Sequence, residues 1–199
     1  MVTIDELHVG DSPDAWRSIG FGVGHDGCCC VGSVRIQLGG DGTGITDWTL
    51  RDVPIDLTEV DGVPTGYSEV PPGDSGTHPN GVNRIDHLVF MTPDVPRTAA
   101  ALVALGLDVR RERDAGAFQQ VFFRLGEVIL ELVGPQDAGP GPASLWGLTF
   151  AVADLDATAE FLGDRVGRIK DAVQPGRRIT TLRGKEIGIS PAIAFMSEA

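Results

Sequence analysis

Arg84-Ile85-Asp86-His87-Leu88-Val89-Phe90-Met91-Thr92-Pro93-Asp94 is answered about 60 residues later by Leu145-Trp146-Gly147-Leu148-Thr149-Phe150-Ala151-Val152-Ala153-Asp154. Each stretch is an apolar run stopped by an aspartate. Each is followed by apolar residues at helical spacing: Val95, Ala99, Leu102 and Val103 in the first copy, and Leu155, Ala159, Leu162 and Val166 in the second. A strand leading through a capping residue into a helix is the reading for both. Three segments of strand character follow each helix, at 107–113, 118–125 and 128–133 in the first copy and at 169–173, 179–183 and 192–196 in the second. Two complete βαβββ units are therefore adjacent. With Asp94 placed on Asp154, His87 falls opposite Gly147, so the fold is duplicated while any chemistry is one-sided.

A fainter copy opens the chain. Residues 3–9 read as a strand, Ser12 as an N-cap with Pro13 at the first helical position, and Ala15, Trp16 and Ile19 as a short apolar stripe ended by Gly20. Residues 21–25, 28–31, 34–38 and 45–50 read as strands between glycine-rich punctuation. Four prolines and five glycines between residues 57 and 83 predict a linker or extended arm. The expected organisation is a short N-terminal βαβββ-like unit over 1–56, an arm over 57–83, and paired units at 84–139 and 145–199 within one domain over 84–199. The fold class is α+β.

Composition narrows the function. Among 199 residues, 28 are acidic and 16 basic, a net charge of −12. Such a field repels nucleic acid and anionic membrane surfaces, so neither is an expected partner. No run of 18 apolar residues occurs, and the first residues lack the basic and apolar parts of a signal peptide, so a cytoplasmic location is expected. The three cysteines, Cys28, Cys29 and Cys30, have no companion pair or histidine spacing and read as residues of a buried strand rather than a metal site.

Asp86-His87-Leu88-Val89-Phe90 opening one unit, Phe122-Phe123-Arg124-Leu125-Gly126-Glu127-Val128-Ile129-Leu130-Glu131-Leu132-Val133 closing it, and Ile193-Ala194-Phe195-Met196-Ser197 closing the next resemble the vicinal oxygen chelate superfamily. That superfamily contains glyoxalase I, extradiol dioxygenases, methylmalonyl-CoA epimerase, fosfomycin-modifying enzymes and bleomycin-binding proteins. The resemblance covers 84–199 well and 3–50 faintly. It implies a cup of two curved sheets whose floor holds a divalent metal, Zn, Ni, Mn or Fe, with ligands from the first and last strand of each unit. His87 and Glu131 take those positions in the first unit, and Glu131 is also the implied proton-moving catalytic residue of a lyase, isomerase or dioxygenase. In the second unit Gly147 and Ala194 stand at the corresponding places, so the ligand set is incomplete. The alternative implied by the same resemblance is a metal-free protein of the bleomycin-resistance type that binds a small drug or metabolite.

Physical chemistry bears on the pair directly. An ionised carboxylate flanked by Leu130 and Leu132 costs several kcal/mol in a dry core, so Glu131 faces solvent, a cation or a cavity. His87 reads either as a ligand or as a satisfied core histidine. Gln120 and Arg124 lie on a strand that lines the sheet, and Arg177 and Arg178 follow Gln174-Pro175-Gly176 as a fork for a carboxylate or phosphate, so all four are candidate ligand contacts. His78, in the arm, either folds over the cup or is solvated; His8 and His25 read as structural or exposed. An unpaired N-terminal half-sheet has a face to bury, either on its own chain or on a second copy in a homodimer.

Overall fold

The computed structural model describes residues 1–198. Apolar side chains alternate along Thr3–Val9 (β1) except where Ile4 and Asp5 are buried in succession. Ser12 accepts a hydrogen bond from the Asp14 amide and Pro13 starts a short helix, Pro13–Ser18 (α1), which buries Trp16. Cys28–Val31 (β2), Val34–Leu38 (β3) and Ile45–Arg51 (β4) follow. Residues 21–25, expected as a strand, form a loop instead. The Phe21 amide is drawn back onto the Trp16 carbonyl to close α1, which takes it out of any ladder.

The proline-rich stretch is not structureless. Glu59–Val60 (β5) and Val63–Ser68 (β6) form a hairpin across Asp61-Gly62, both of which have positive φ. Asp-Gly suits the two-residue turn whose central positions both need φ above zero. Pro64 is tolerated because it sits on an edge hairpin opposite Glu59. The longest part without helix or strand, 69–81, straps the N-terminal half, with the Gly76 amide on the Cys30 carbonyl and the Asn80 amide on the Gly20 carbonyl.

In the pairing, β1 runs parallel to β3 and antiparallel to β4, while β4 runs parallel to β6. The first 68 residues are thus two shortened units back to back, the second with a loop where a helix would stand. The expected single short unit followed by an arm is replaced by this pair.

Val82–Met91 (β7), Val95–Ala104 (α2), Val109–Asp114 (β8), Phe118–Leu125 (β9) and Val128–Pro135 (β10) form the next unit. Ser144–Val152 (β11), Leu155–Leu162 (α3), Lys170–Asp171 (β12), Arg178–Thr181 (β13) and Ala192–Ser197 (β14) form the last. Both helices begin where the sequence places them: Asp94 accepts from the Arg97 amide, and Asp154 from the Asp156 and Ala157 amides. In each unit the first strand pairs parallel with the last, β7 with β10 and β11 with β14. β7 and β11 join antiparallel, giving the order β8-β9-β10-β7-β11-β14-β13-β12. This is the α+β architecture of tandem βαβββ units and a curved mixed sheet.

The halves fuse where Ile45 of β4 pairs with Leu145 of β11. Trp48 packs on Phe90 with ring centroids 5.5 Å apart, and Trp16 and Phe21 pack on Phe150 at 6.2 and 4.9 Å. The apolar face of the N-terminal half is therefore buried on its own chain, so no second copy is needed to cover it. Among the described residues no helix is long and apolar enough to cross a membrane.

Candidate functional site

The register of β7 against β11 is irregular at three places, one of them at Asn83 near the start of β7 and the other two within the paired run. Ile85 pairs with Phe150 and His87 with Thr149, leaving Asp86 extra; Leu145 pairs with Phe90 and Gly147 with Val89, leaving Trp146 extra. The two irregularities are equivalent under the duplication. A bulge breaks the in-out alternation and turns two successive side chains toward one side. In β7 it buries Asp86 and His87 together, at 5% and 4% exposure.

A buried carboxylate needs partners, and Asp86 has them. The Arg177 guanidinium donates to both of its oxygens at 3.0 and 2.9 Å, and also to the Ser197 carbonyl. His87 Nδ1 lies 2.7 Å from Asp86 Oδ2, a charge contact too poorly aligned to be a hydrogen bond, and Nδ1 has no other partner. Burial alone would raise the Asp86 carboxyl, but the His87 and Arg177 contacts outweigh it and hold the group well below the usual carboxylate range. Arg177, expected to clamp a ligand, instead clamps Asp86 and so fixes the bulge beside His87.

His87 and Glu131 line one cavity of about 580 Å³ with Arg111, Arg113, Gln120, Phe122 and Gln174. Glu131 sits on β10 opposite Val89, two positions along from the residue paired with His87. Gln120 Nε2 donates to Glu131 Oε1 at 2.6 Å, which leaves Gln120 Oε1 buried without a partner. Burial pushes the Glu131 carboxyl up, against the opposing pull of His87, the Gln120 hydrogen bond and Arg113. Gln174 Nε2 lies 3.4 Å from His87 Nε2.

The second unit offers no donors to match. Thr149 pairs with Ala194 as Val89 pairs with Glu131, so Ala194 does occupy the Glu131-equivalent place. At Gly147 a Cβ would stand 2.5 Å from the Ala192 carbonyl oxygen and 2.9 Å from the Ala192 Cβ. No side chain fits there without moving the parallel neighbour β14. Among the described residues no three His, Cys, Asp or Glu side chains are grouped to hold a metal ion. His87 and Glu131 alone do not fit a divalent centre, which needs at least three protein donors.

Of the other expected contacts, Gln120 lines the cavity. Arg124 is exposed at the end of β9 and donates to the Gly126 carbonyl, while Arg178 pairs with Asp156 on α3 at 2.6 Å. Both lie outside the cavity. His78 neither covers the cup nor is solvated. It is buried in the N-terminal half, accepting from the Gly22 amide at Nδ1 and donating from Nε2 to the Cys30 carbonyl, each at 3.0 Å. Burial lowers its pKa, against the opposing effect of the Cys30 hydrogen bond. Cys28 and Cys30 share a face, 3.9 Å apart at sulfur, and burial pushes the Cys28 and Cys29 thiols up to about 12, which makes them poor nucleophiles.

The N-terminal half repeats the bulge. Ile4 pairs with Leu50 and Glu6 with Thr49, leaving Asp5 extra, so Ile4-Asp5-Glu6-Leu7 is the counterpart of Ile85-Asp86-His87-Leu88. Asp5 is likewise held by arginines, Arg35 and Arg51. Glu6, at the His87 place, is consumed by Arg35 at 2.7 Å and His8 at 2.9 Å. The Ile-Asp-x-Leu repeat was the signal that makes Asp86 recognisable as part of the site. For Arg111, Arg113, Thr149 and Gln174 no local pattern distinguishes them, since the curvature of the sheet alone brings them together.

No family model and no curated protein matches the chain. Solved structures do. A variant of 4-hydroxymandelate synthase from Streptomyces coelicolor is 14% identical with a TM-score of 0.66, over 99% of this chain and 92% of that one. An extradiol ring-cleaving dioxygenase from B. fuscum is 16% identical with a TM-score of 0.64, over 99% and 71%. Methylmalonyl-CoA epimerase from Mycobacterium tuberculosis is 18% identical with a TM-score of 0.51, over 62% and 93%. Likeness at such identities speaks for architecture alone: this chain shares the fold of these solved structures.

Proposed function

We propose that the C-terminal cup binds a small organic molecule without a resident metal ion. The observation that carries this reading is Gly147: its contact with Ala192 leaves no room for a donor where the duplication would supply one. The cavity volume lies within the range of small-ligand sites, roughly 300–1,000 Å³. Phe122, Ile129, Ile179 and Met196 supply apolar wall, and His87, Glu131, Gln120 and Thr149 supply polar groups that orient a ligand. Arg177 and Asp86 hold the His87 ring, and Gln120 holds the Glu131 carboxyl.

A second reading, a divalent-metal lyase, isomerase or dioxygenase, is supported by His87 and Glu131 lining the same cavity. Metal analysis after purification without chelator, followed by titration with Zn, Ni, Mn and Fe, separates the two. The first reading expects no stoichiometric metal, and ligand binding that is weakened but still measurable in the His87→Ala/Glu131→Ala double variant because the apolar wall remains. A tightly bound ion that this double variant loses would establish the second.

A further inference from the structure

The last unit departs from its duplicate at a second place. β9 and β10 are joined by Gly126 and Glu127 alone, whereas β13 and β14 are joined by residues 182–191, which include a short 3-10 helix, Gly184–Ile187. The longer connection and Trp146, the residue left over by the bulge in β11, line a cavity of about 530 Å³. It shares no lining residue with the cup. Function added to a duplicated fold sits on connections of this kind.

The groups that line this cavity have needs the chain does not meet. Trp16 and Trp48 are fully buried and packed on other rings, but Trp146 is 54% exposed. Among the described residues its indole stacks on no aromatic ring, and its Nε1 has no acceptor. Lys185, also exposed, has neither an ion pair nor a side-chain hydrogen bond among the described residues. Arg183 donates from Nη1 to the Asp164 carbonyl at 3.0 Å, a neutral acceptor that leaves its charge uncompensated. Against these two cations the wall carries one carboxylate, Glu186, in a chain of net charge −12.

The wall itself is fixed in place. Ser190 Oγ accepts from the Gly44 amide at 2.7 Å and donates to Asp11, whose carboxylate also takes the Ser190 amide, so the connection is tied to the N-terminal half. Gly184 is pressed on Ile189, where a Cβ would stand 2.8 Å from the carbonyl oxygen. A second cavity of about 430 Å³ adjoins the first at Lys185, Ile189 and Ser190, and Ser12 and Thr43 add hydroxyls to its lining. An open indole face stacks on a flat ring, and a free ammonium beside it offers a point charge to a phosphate.

We propose that the β13–β14 connection forms a second ligand site, separate from the cup, and that it takes a nucleoside monophosphate. The base stacks on Trp146 and the phosphate pairs with Lys185 and Arg183. Ring face, paired cations and adjoining hydroxyl-lined space together match base, phosphate and sugar, where a bare aromatic acid would use only the first two. The acidic field that repels a polyanion weighs far less on a single phosphate.

The test uses adenosine 5′-monophosphate, adenosine, which lacks the anion, and ribose 5-phosphate, which lacks the base. Calorimetry gives the affinities, and quenching of the one exposed tryptophan reports contact with Trp146. The monophosphate is expected to quench Trp146 and to bind at least about tenfold more tightly than adenosine, the size of one charge-assisted hydrogen bond. Lys185→Gln is expected to abolish that preference while leaving adenosine unchanged. Trp146→Leu is expected to weaken the monophosphate and adenosine alike, by about tenfold or more, and to spare ribose 5-phosphate. Both positions are exposed, and an unchanged urea midpoint shows that the variants keep the fold. The His87→Ala/Glu131→Ala variant should bind the monophosphate as the wild type does. If the monophosphate does not bind, binds no better than adenosine, is indifferent to both substitutions, or is lost with His87 and Glu131, the second site falls and the reading of the cup stands.

Discussion

At the scale of single residues, the site is organised by Asp86 more than by the histidine beside it. A buried carboxylate that takes two hydrogen bonds from Arg177, with Arg84 at 3.2 Å as its second guanidinium, depends on the Arg177 contact, because removing one partner of a buried pair leaves the charge poorly compensated. Arg177→Met is expected to lower stability by about 3–5 kcal/mol in urea unfolding at pH 7. Adding Asp86→Asn should restore part of the loss, giving a double variant less destabilised than the sum of the singles. The Asp86 carboxyl is depressed below its ordinary 3.8, so its contribution is present above that pH and disappears as pH falls toward the folded value. Gly147 is the complementary case, where a missing side chain is the informative feature. Gly147→Ala forces a methyl against the Ala192 carbonyl and should cost about 1–3 kcal/mol by the same assay, and a histidine there should cost more. These two positions explain why the duplicated fold keeps a polar centre on one side only.

At the scale of elements, the repeated feature is a strand with a bulged aspartate, Ile-Asp-x-Leu, gripped by arginine from a neighbouring element. The bulge was not legible as such, because a run of apolar and polar residues in a strand does not say which one falls out of register. The helix starts at Asp94 and Asp154 were legible, since capping is a local interaction between a side chain and amides two or three residues ahead. Asp94→Ala and Asp154→Ala should each cost about 1 kcal/mol, read from thermal or urea unfolding. The strap at 69–81 contributes a pH dependence of its own. His78 is held neutral by the Gly22 amide and by burial, with its pKa below the ordinary 6.5. Its contribution is present above pH 6.5 and is lost as pH falls, because the unfolded chain takes up the proton first. Stability should therefore drop between pH 7 and pH 5, and His78→Gln should show a shallower slope over that window despite lower stability at pH 7.

At the scale of the whole molecule, two back-to-back pairs of units share one sheet and one core. Trp48 from the N-terminal pair and Phe90 from the C-terminal pair are both fully buried and in contact, so each alanine substitution should cost about 3–5 kcal/mol. In a double-mutant cycle they should couple by about 0.5–1.5 kcal/mol, and fluorescence and circular dichroism should report one coincident unfolding transition. Independent transitions for the two halves would show that the junction at Ile45 and Leu145 does not bind them into one cooperative body. The sequence by itself determined the duplicated units, their helix caps and the one-sidedness of His87 over Gly147, while the resemblance to a known family implied that His87 and Glu131 belong together. These are matters of local periodicity and of offset between copies, both written along the chain. Only the tertiary structure decided that residues 59–68 complete a fourth unit, that Arg177 serves Asp86 while Arg111 and Arg113 face the cavity, and that His78 is buried in the N-terminal half and does not line the cup. Strand pairing, bulges and sheet curvature bring together residues distant in sequence, and which arginine meets which carboxylate depends on that register rather than on composition.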